Sequence, residues 1–184
     1  KLYTGSGSTN AMTGVGFQPD MTWLKIRTQS YSHRIYDAVR GATKYCHPDT
    51  NEEEYTTATS LTAFNSDGFT LGSNVGDNKS GDTFASWNWK ANGAGSANTD
   101  GSINSTVSVN QTAGFSIVKY TGTGSNASVG HGLNSAPKLI IEKQIDSASN
   151  DWGVYHASKG AGHYTKFNTN EVFSSHTGVW QGVE

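Results

Sequence analysis

Apolar residues in this chain come in short alternating runs, and clusters of Gly, Asn, Ser and Asp separate one run from the next. The pattern predicts strands near residues 1–4, 11–13, 21–28, 33–39, 55–58, 61–64, 69–71 and 83–90. Turn signals recur between them at roughly 8 to 12 residues, the spacing of a β-sandwich or barrel. No segment has helical periodicity. In "TFASWNWK", side-chain alternation puts Ala85, Trp87 and Trp89 on one face of a strand. Two tryptophans spaced in this way suit a sugar-stacking platform or a core anchor. The core is favoured, because Phe84 and the apolar run around Trp23 bracket the strand.

The chain states one pattern twice. "KLYTGSGSTNAMTGVGFQPDMTWLK", from Lys1, is matched by "KYTGTGSNASVGHGLNSAPKLIIEK", from Lys119. Tyr3 matches Tyr120, Pro19 matches Pro137, and Tyr36, Gly41 and Tyr45 match Tyr155, Gly160 and Tyr164. The spacing grows by single residues, and only where Gly, Ser, Asn and Asp mark turns, so the insertions fall in loops. Between those slips Met21 and Trp23 align with Leu139 and Ile141, and Ile35 with Val154.

Three parts follow: a first β-sandwich repeat over 1–90, a Gly/Ser/Asn-rich connector over 91–113, and a second, truncated repeat over 114–184. The stretch "ANGAGSANTDGSINST", from Ala91 to Thr106, reads as flexible. The second copy has no equivalent of "SDGFTLGSNVGDNKSGDTFASWNWK". This raises the expectation of an excerpt from a longer repetitive polypeptide, or of a subunit whose sheet a neighbour completes by strand donation.

Composition narrows the class. Of the 184 residues, 34% are hydrophobic and only 15% charged, so polarity comes from Gly, Ser, Thr and Asn. The 11% aromatic content supplies the material for compact cores, which a disordered chain lacks. Net charge is −2 with no basic stripe, which argues against nucleic acid as a partner. No apolar run reaches the roughly 18 residues that cross a bilayer as a helix, so no membrane partner is expected.

The sequence offers little for catalysis. Glycan hydrolysis needs two carboxylates about 5 to 10 Å apart. The one dense acidic run, "DTNEEE" from Asp49, has no counterpart in the second copy beyond Glu171 and reads as a solvated face. "GDNKSGD", from Gly76, lacks the regular oxygen spacing of a calcium loop. It reads as a tight turn with Gly81 at positive φ and Asp77 or Asp82 capping turn amides. His33, His47, His131, His156, His163 and His176 share no metal-ligand spacing, and Cys46 reads as a small packed residue. No enzyme activity, cofactor or metal is expected. The Asn-x-Ser/Thr sequences at Asn78, Asn104, Asn110 and Asn126 decide nothing in so polar a chain.

Sugar recognition pairs aromatic platforms with amides and hydroxyls. The candidates are Tyr31 and His33 in the first copy, and Asn150, Trp152, Tyr155 and His156 in the second.

At "FQPDMTWLKIR", "SHRIYDAVRGATKY", "SLTAFNSDGFTLGS" and "SGDTFASWNWKA", with "GHGLNSAPKLIIEK" and "WGVYH" in the second copy, the sequence resembles a β-rich repeat domain family of marine bacteriophage structural proteins. The resemblance implies an all-β fold of two tandem jelly-roll or lectin-like sandwiches, the second incomplete, in a virion tail fibre or appendage. It brings no catalytic residues. The leading reading is a structural and adhesive module that assembles with copies of itself or other structural subunits and touches host-surface glycans. The alternative is a subunit of a microbial extracellular filament or surface adhesin.

Overall fold

The computed structural model describes residues 1–176, 178–180 and 182, nearly all of whose regular structure is strand. They form two compact units, one of Lys1–Tyr45 with Thr56–Asn134, the other of Cys46–Tyr55 with Ser135–Glu184.

In the first unit, β1 (Leu2–Thr4), β3 (Met21–Ile26), β4 (Arg34–Asp37) and β9 (Thr83–Trp89) lie in one sheet, together with β5 (Lys44–Cys46) and β6 (Tyr55–Thr56). The strand order is β1-β9-β3-β4-β5-β6. A second sheet orders β2 (Asn10–Met12), β8 (Gly68–Leu71) and β7 (Leu61–Asn65) as β2-β8-β7. Alternation along β3 buries Thr22, Leu24 and Ile26 and leaves Met21, Trp23 and Lys25 half-exposed. The buried face meets the second sheet, where Leu24, Tyr36 and Tyr45 pack with Met12, Leu61, Phe69 and Leu71. Tyr3 stacks on Phe84 at 5.0 Å and meets Phe69 edge-on. The all-β sandwich expected from the sequence is present, and each of its eight first-copy strands has a counterpart; β5 had no expectation.

Residues 91–113 are not a loose connector. They carry β10 (Ser96–Asn98) and β11 (Ser105–Asn110), which form a sheet β10-β11-β12 with β12 (Phe115–Tyr120). Ser105, Val107 and Ser108 are buried, and the Asn92 N–H donates to Ser108 Oγ at 2.8 Å. Side-chain hydroxyls and the β-branched residues Thr106, Val107 and Val109 do there what larger apolar residues do elsewhere, which is why composition hid the strands. These strands group with the first unit, and the division falls after Asn134.

The "GDNKSGD" turn also differs in detail. Gly81 has φ of 81° as expected, but Val75–Asn78 forms a single helical turn, α1, capped by the side chain of Asn74. Asp77 is buried in a salt bridge rather than capping amides, and Asp82 Oδ1 accepts from the Thr28 hydroxyl.

The second unit has one described sheet, β13-β14-β15-β16, of β13 (Leu139–Glu142), β14 (Gly153–His156), β15 (His163–Lys166) and β16 (Ser174–Ser175). Its first hairpin pairs Leu139 with His156 and Ile141 with Val154. The matched residues of the first unit pair in the same register, Met21 with Asp37 and Trp23 with Ile35. Ala157 N–H donates to the Lys138 carbonyl as Ala38 N–H donates to that of Asp20. Each hairpin is braced by a lysine: Lys25 Nζ donates to the carbonyls of Ile26, Gln29 and Tyr31, and Lys143 Nζ to those of Gln144 and Ser147.

Candidate functional site

The face of the β1-β9-β3-β4 sheet opposite the core carries an aromatic row. β9 and β3 run antiparallel with Trp87 opposite Trp23 and Trp89 opposite Met21. Since the core takes Phe84, Leu24 and Tyr36, alternation turns all three tryptophans outward. Trp87 is 50% exposed. It meets Trp23 edge-on at 6.4 Å, and Trp89 stacks on Phe115 at 6.3 Å. The expectation that Trp87 and Trp89 anchor the core is thereby corrected. The strand is indeed bracketed by apolar neighbours, but those neighbours bury its other face.

Polar contacts flank the row. The Trp23 indole N–H donates to His33 Nδ1 at 2.8 Å, and the two rings lie edge to face. At the end of the row Asp37 and Arg40 form an ion pair, and an Arg40 amine also donates to the Ile35 carbonyl at 2.8 Å. Beside the row is an open cleft of about 460 Å³, whose lining includes Val15, Phe17, Trp87, Asn88 and Trp89. An aromatic wall with polar groups at its margin suits the alternating apolar and hydroxylated faces of a pyranose.

Behind the row, on the core side of β4, a polar cluster holds the sheet to α1. Arg34 donates to Asp77 Oδ2 and Asn74 Oδ1, each at 2.8 Å, and lies over the Tyr45 ring. The Tyr36 hydroxyl donates to Asp77 Oδ2, and that of Tyr3 to the Asp77 carbonyl. Burial pushes the Asp77 carboxyl upward against the pull of Arg34, and burial holds the Tyr36 phenol well above its ordinary range. Asp77 and Tyr36 at its centre are fully buried.

The six residues singled out in the sequence do not come together. In the first unit Tyr31 is exposed and its carbonyl is taken by Lys25, while His33 supports Trp23. In the second unit Asn150 and His156 are exposed and engaged with Gln144 and Ser158 respectively. Trp152 and Tyr155 are each 7% exposed. Trp152 donates its indole N–H to the carbonyls of His47 and Thr50 at 2.9 and 3.1 Å, and Tyr155 packs against Trp180. Trp152 is a core residue of its unit, so the sugar-platform assignment made for it and for Tyr155 is withdrawn. Trp23 and Phe115 were not singled out. The register that sets Trp23 against Trp87 is the signal that identifies Trp23, and it needs the strand pairing to be read.

A family model described as a domain of unknown function, DUF7483, matches residues 1–184. The chain belongs to the DUF7483 family. No curated protein and no solved structure matches it. The DUF7483 match spans both units, and thus both the aromatic row and the hairpin of the second unit. Among the described residues of this DUF7483 chain, no His, Cys, Asp and Glu cluster is placed to hold a metal, and no helix is long and apolar enough to cross a membrane.

Proposed function

We propose that this chain is a structural and adhesive module of a bacteriophage tail fibre or related appendage, and that it meets host-surface glycans through the outer face of its first sheet. The role is binding and building rather than catalysis. The observation that supports it best is the half-exposed Trp87, held beside Trp23 and Trp89 on a rigid strand pair. An exposed aromatic row on a soluble sheet costs solvation unless something covers it, and such patches mark binding surfaces. The cleft beside Trp87 and Trp89 has the volume of a small-ligand site.

The test is glycan-array binding by the intact chain, followed by Trp87→Ala and Trp89→Ala. Binding is expected to be weak, in the range of about 0.1 to 1 mM, and to fall at least about tenfold in either variant. An array with no bound glycan, or binding untouched by both substitutions, defeats the glycan assignment. Labelling of intact particles with an antibody to the chain addresses the virion location, and tail labelling is the expected result.

A further inference from the structure

We infer that Asn92 is a site of spontaneous covalent modification, at which the main-chain nitrogen of Gly93 attacks the Asn92 carboxamide and converts the residue, through a cyclic imide, to isoaspartate and aspartate.

The residue pair supplies the chemistry. Asn92 and Gly93 form the one Asn-Gly pair in the chain. A five-membered ring closes when the nitrogen of the following residue reaches the asparagine Cγ, and a side chain on that residue obstructs the approach. Glycine has none. The structure leaves both reacting groups open. Asn92 is exposed, Gly93 has φ of 62°, and a Cβ placed on Gly93 would meet nothing within 4 Å. Among the described residues no hydrogen bond engages the Asn92 carboxamide or the Gly93 N–H.

The main chain around them is held. Ala91 N–H donates to Asp20 Oδ2 at 2.7 Å, Asn92 N–H to Ser108 Oγ at 2.8 Å, and Gly95 N–H to the Asn92 carbonyl at 3.3 Å. The turn therefore stays at the surface with nucleophile and electrophile adjacent, as an intramolecular reaction requires. Neighbouring asparagines each lack a condition. Asn98 is bonded to Asp100 through both ends of its amide, and Asn110 to the Lys90 carbonyl and the Ala113 N–H. Asn104 is exposed, but the residue after it is Ser105, buried in β11.

Hydroxide takes the Gly93 amide proton, the nitrogen bonds to Cγ, and the carboxamide C–N bond breaks as ammonia leaves. Water then opens the imide. Opening at the main-chain carbonyl leaves Gly93 bonded through Cγ, an isoaspartyl link with a free α-carboxylate; opening at Cγ leaves aspartate. No oxidant or reductant takes part. Either product adds a negative charge between β9 and β10, and the isoaspartyl link also lengthens the main chain there by a methylene. This inference stands apart from the glycan reading, since it needs no ligand.

The experiment ages the intact chain in dilute buffer and follows it by mass spectrometry and by methyl transfer from a protein isoaspartyl methyltransferase. Trypsin, cutting after Lys90 and Lys119, releases Asn92, Asn98, Asn104 and Asn110 in one peptide, so the last three serve as internal controls. Exchange of –NH2 for –OH is expected at Asn92 at least about tenfold faster than at Asn104. The rate is expected to rise at least about tenfold from about pH 6.5 to about pH 8.5, because hydroxide removes the proton. Gly93→Ala is expected to cut methyl incorporation at least about tenfold. Should that variant not fold, Asn92→Gln replaces it, with the same loss expected because its longer side chain closes the ring poorly. The inference is overturned if Asn92 keeps its nitrogen on ageing, if Asn104 reacts as fast, or if the folded variant takes up methyl groups as the parent does.

Discussion

The Trp23 indole N–H donates to Nδ1 of His33, 2.8 Å away, and this bond orients the ring that stands against Trp87 on the outer sheet face. The acceptor role requires the imidazole to carry its proton on Nε2. Replacing His33 by Phe keeps a ring beside Trp23 but removes the acceptor. Glycan binding by His33→Phe is expected to drop severalfold while the melting temperature moves little. A melting shift as large as that of a core substitution would make His33 a folding residue instead.

Trp87 and Trp152 are expected to answer substitution in opposite ways. Trp87→Ala should cost no more than about 2 kcal/mol, because half of the side chain is already in solvent. Trp152→Ala empties a buried site and removes the donor for two carbonyls, with an expected loss of about 3–5 kcal/mol from its unit. Denaturant titration of the two variants, set beside their glycan binding, separates surface from core.

The Arg34–Asp77 pair is expected to be the most sensitive polar site of the first unit. Asp77→Ala leaves a guanidinium that is 11% exposed without its carboxylate and strips the Tyr36 hydroxyl of its acceptor. Breaking a buried pair by removing one partner costs about 3–5 kcal/mol. A urea midpoint unchanged from the parent would show that the cluster is dispensable.

Glu142 gives the second unit a pH signature. Burial raises its carboxyl above the ordinary value. The native state then holds the proton more tightly than the unfolded chain, so stability increases as pH falls from neutral through the raised pKa toward about 4.5. Glu142→Gln is expected to melt higher than the parent at pH 7 and to lose this dependence. Parallel melting curves for the two proteins from pH 7 to pH 4 would contradict it.

Amide exchange across 91–113 checks the strands concealed there. The β11 amides that pair with β12 are expected to exchange at least about a hundredfold more slowly than those of the turn at Gln111–Gly114. Uniformly fast exchange would restore the flexible connector.

The alternation of "MTWLKI" and "TFASWNW" was enough to place β3 and β9 and to say which residues share a face. Which face was inner was not readable from those strands alone. Period-two patterning is symmetric when both faces are apolar, and only the packing of Leu24 and Tyr36 against Phe69 and Leu71 breaks the tie. The same limit hid Trp152, whose indole N–H finds its acceptors at His47 and Thr50, far away in sequence. β11 escaped notice for a different reason: its cohesion lies in serine and threonine hydroxyls and in pairing with β12, neither of which raises hydropathy. The duplicated hairpin was legible because its register depends on local apolar positions and turn lengths, which the chain writes out twice.

Two lysines, Lys25 and Lys143, each clasp main-chain carbonyls at and beyond the end of their strand. Loop composition can therefore drift without loosening the hairpin, since a cation gripping main-chain oxygens is indifferent to the side chains around it. A module fastened in this manner tolerates changed tips and keeps its frame.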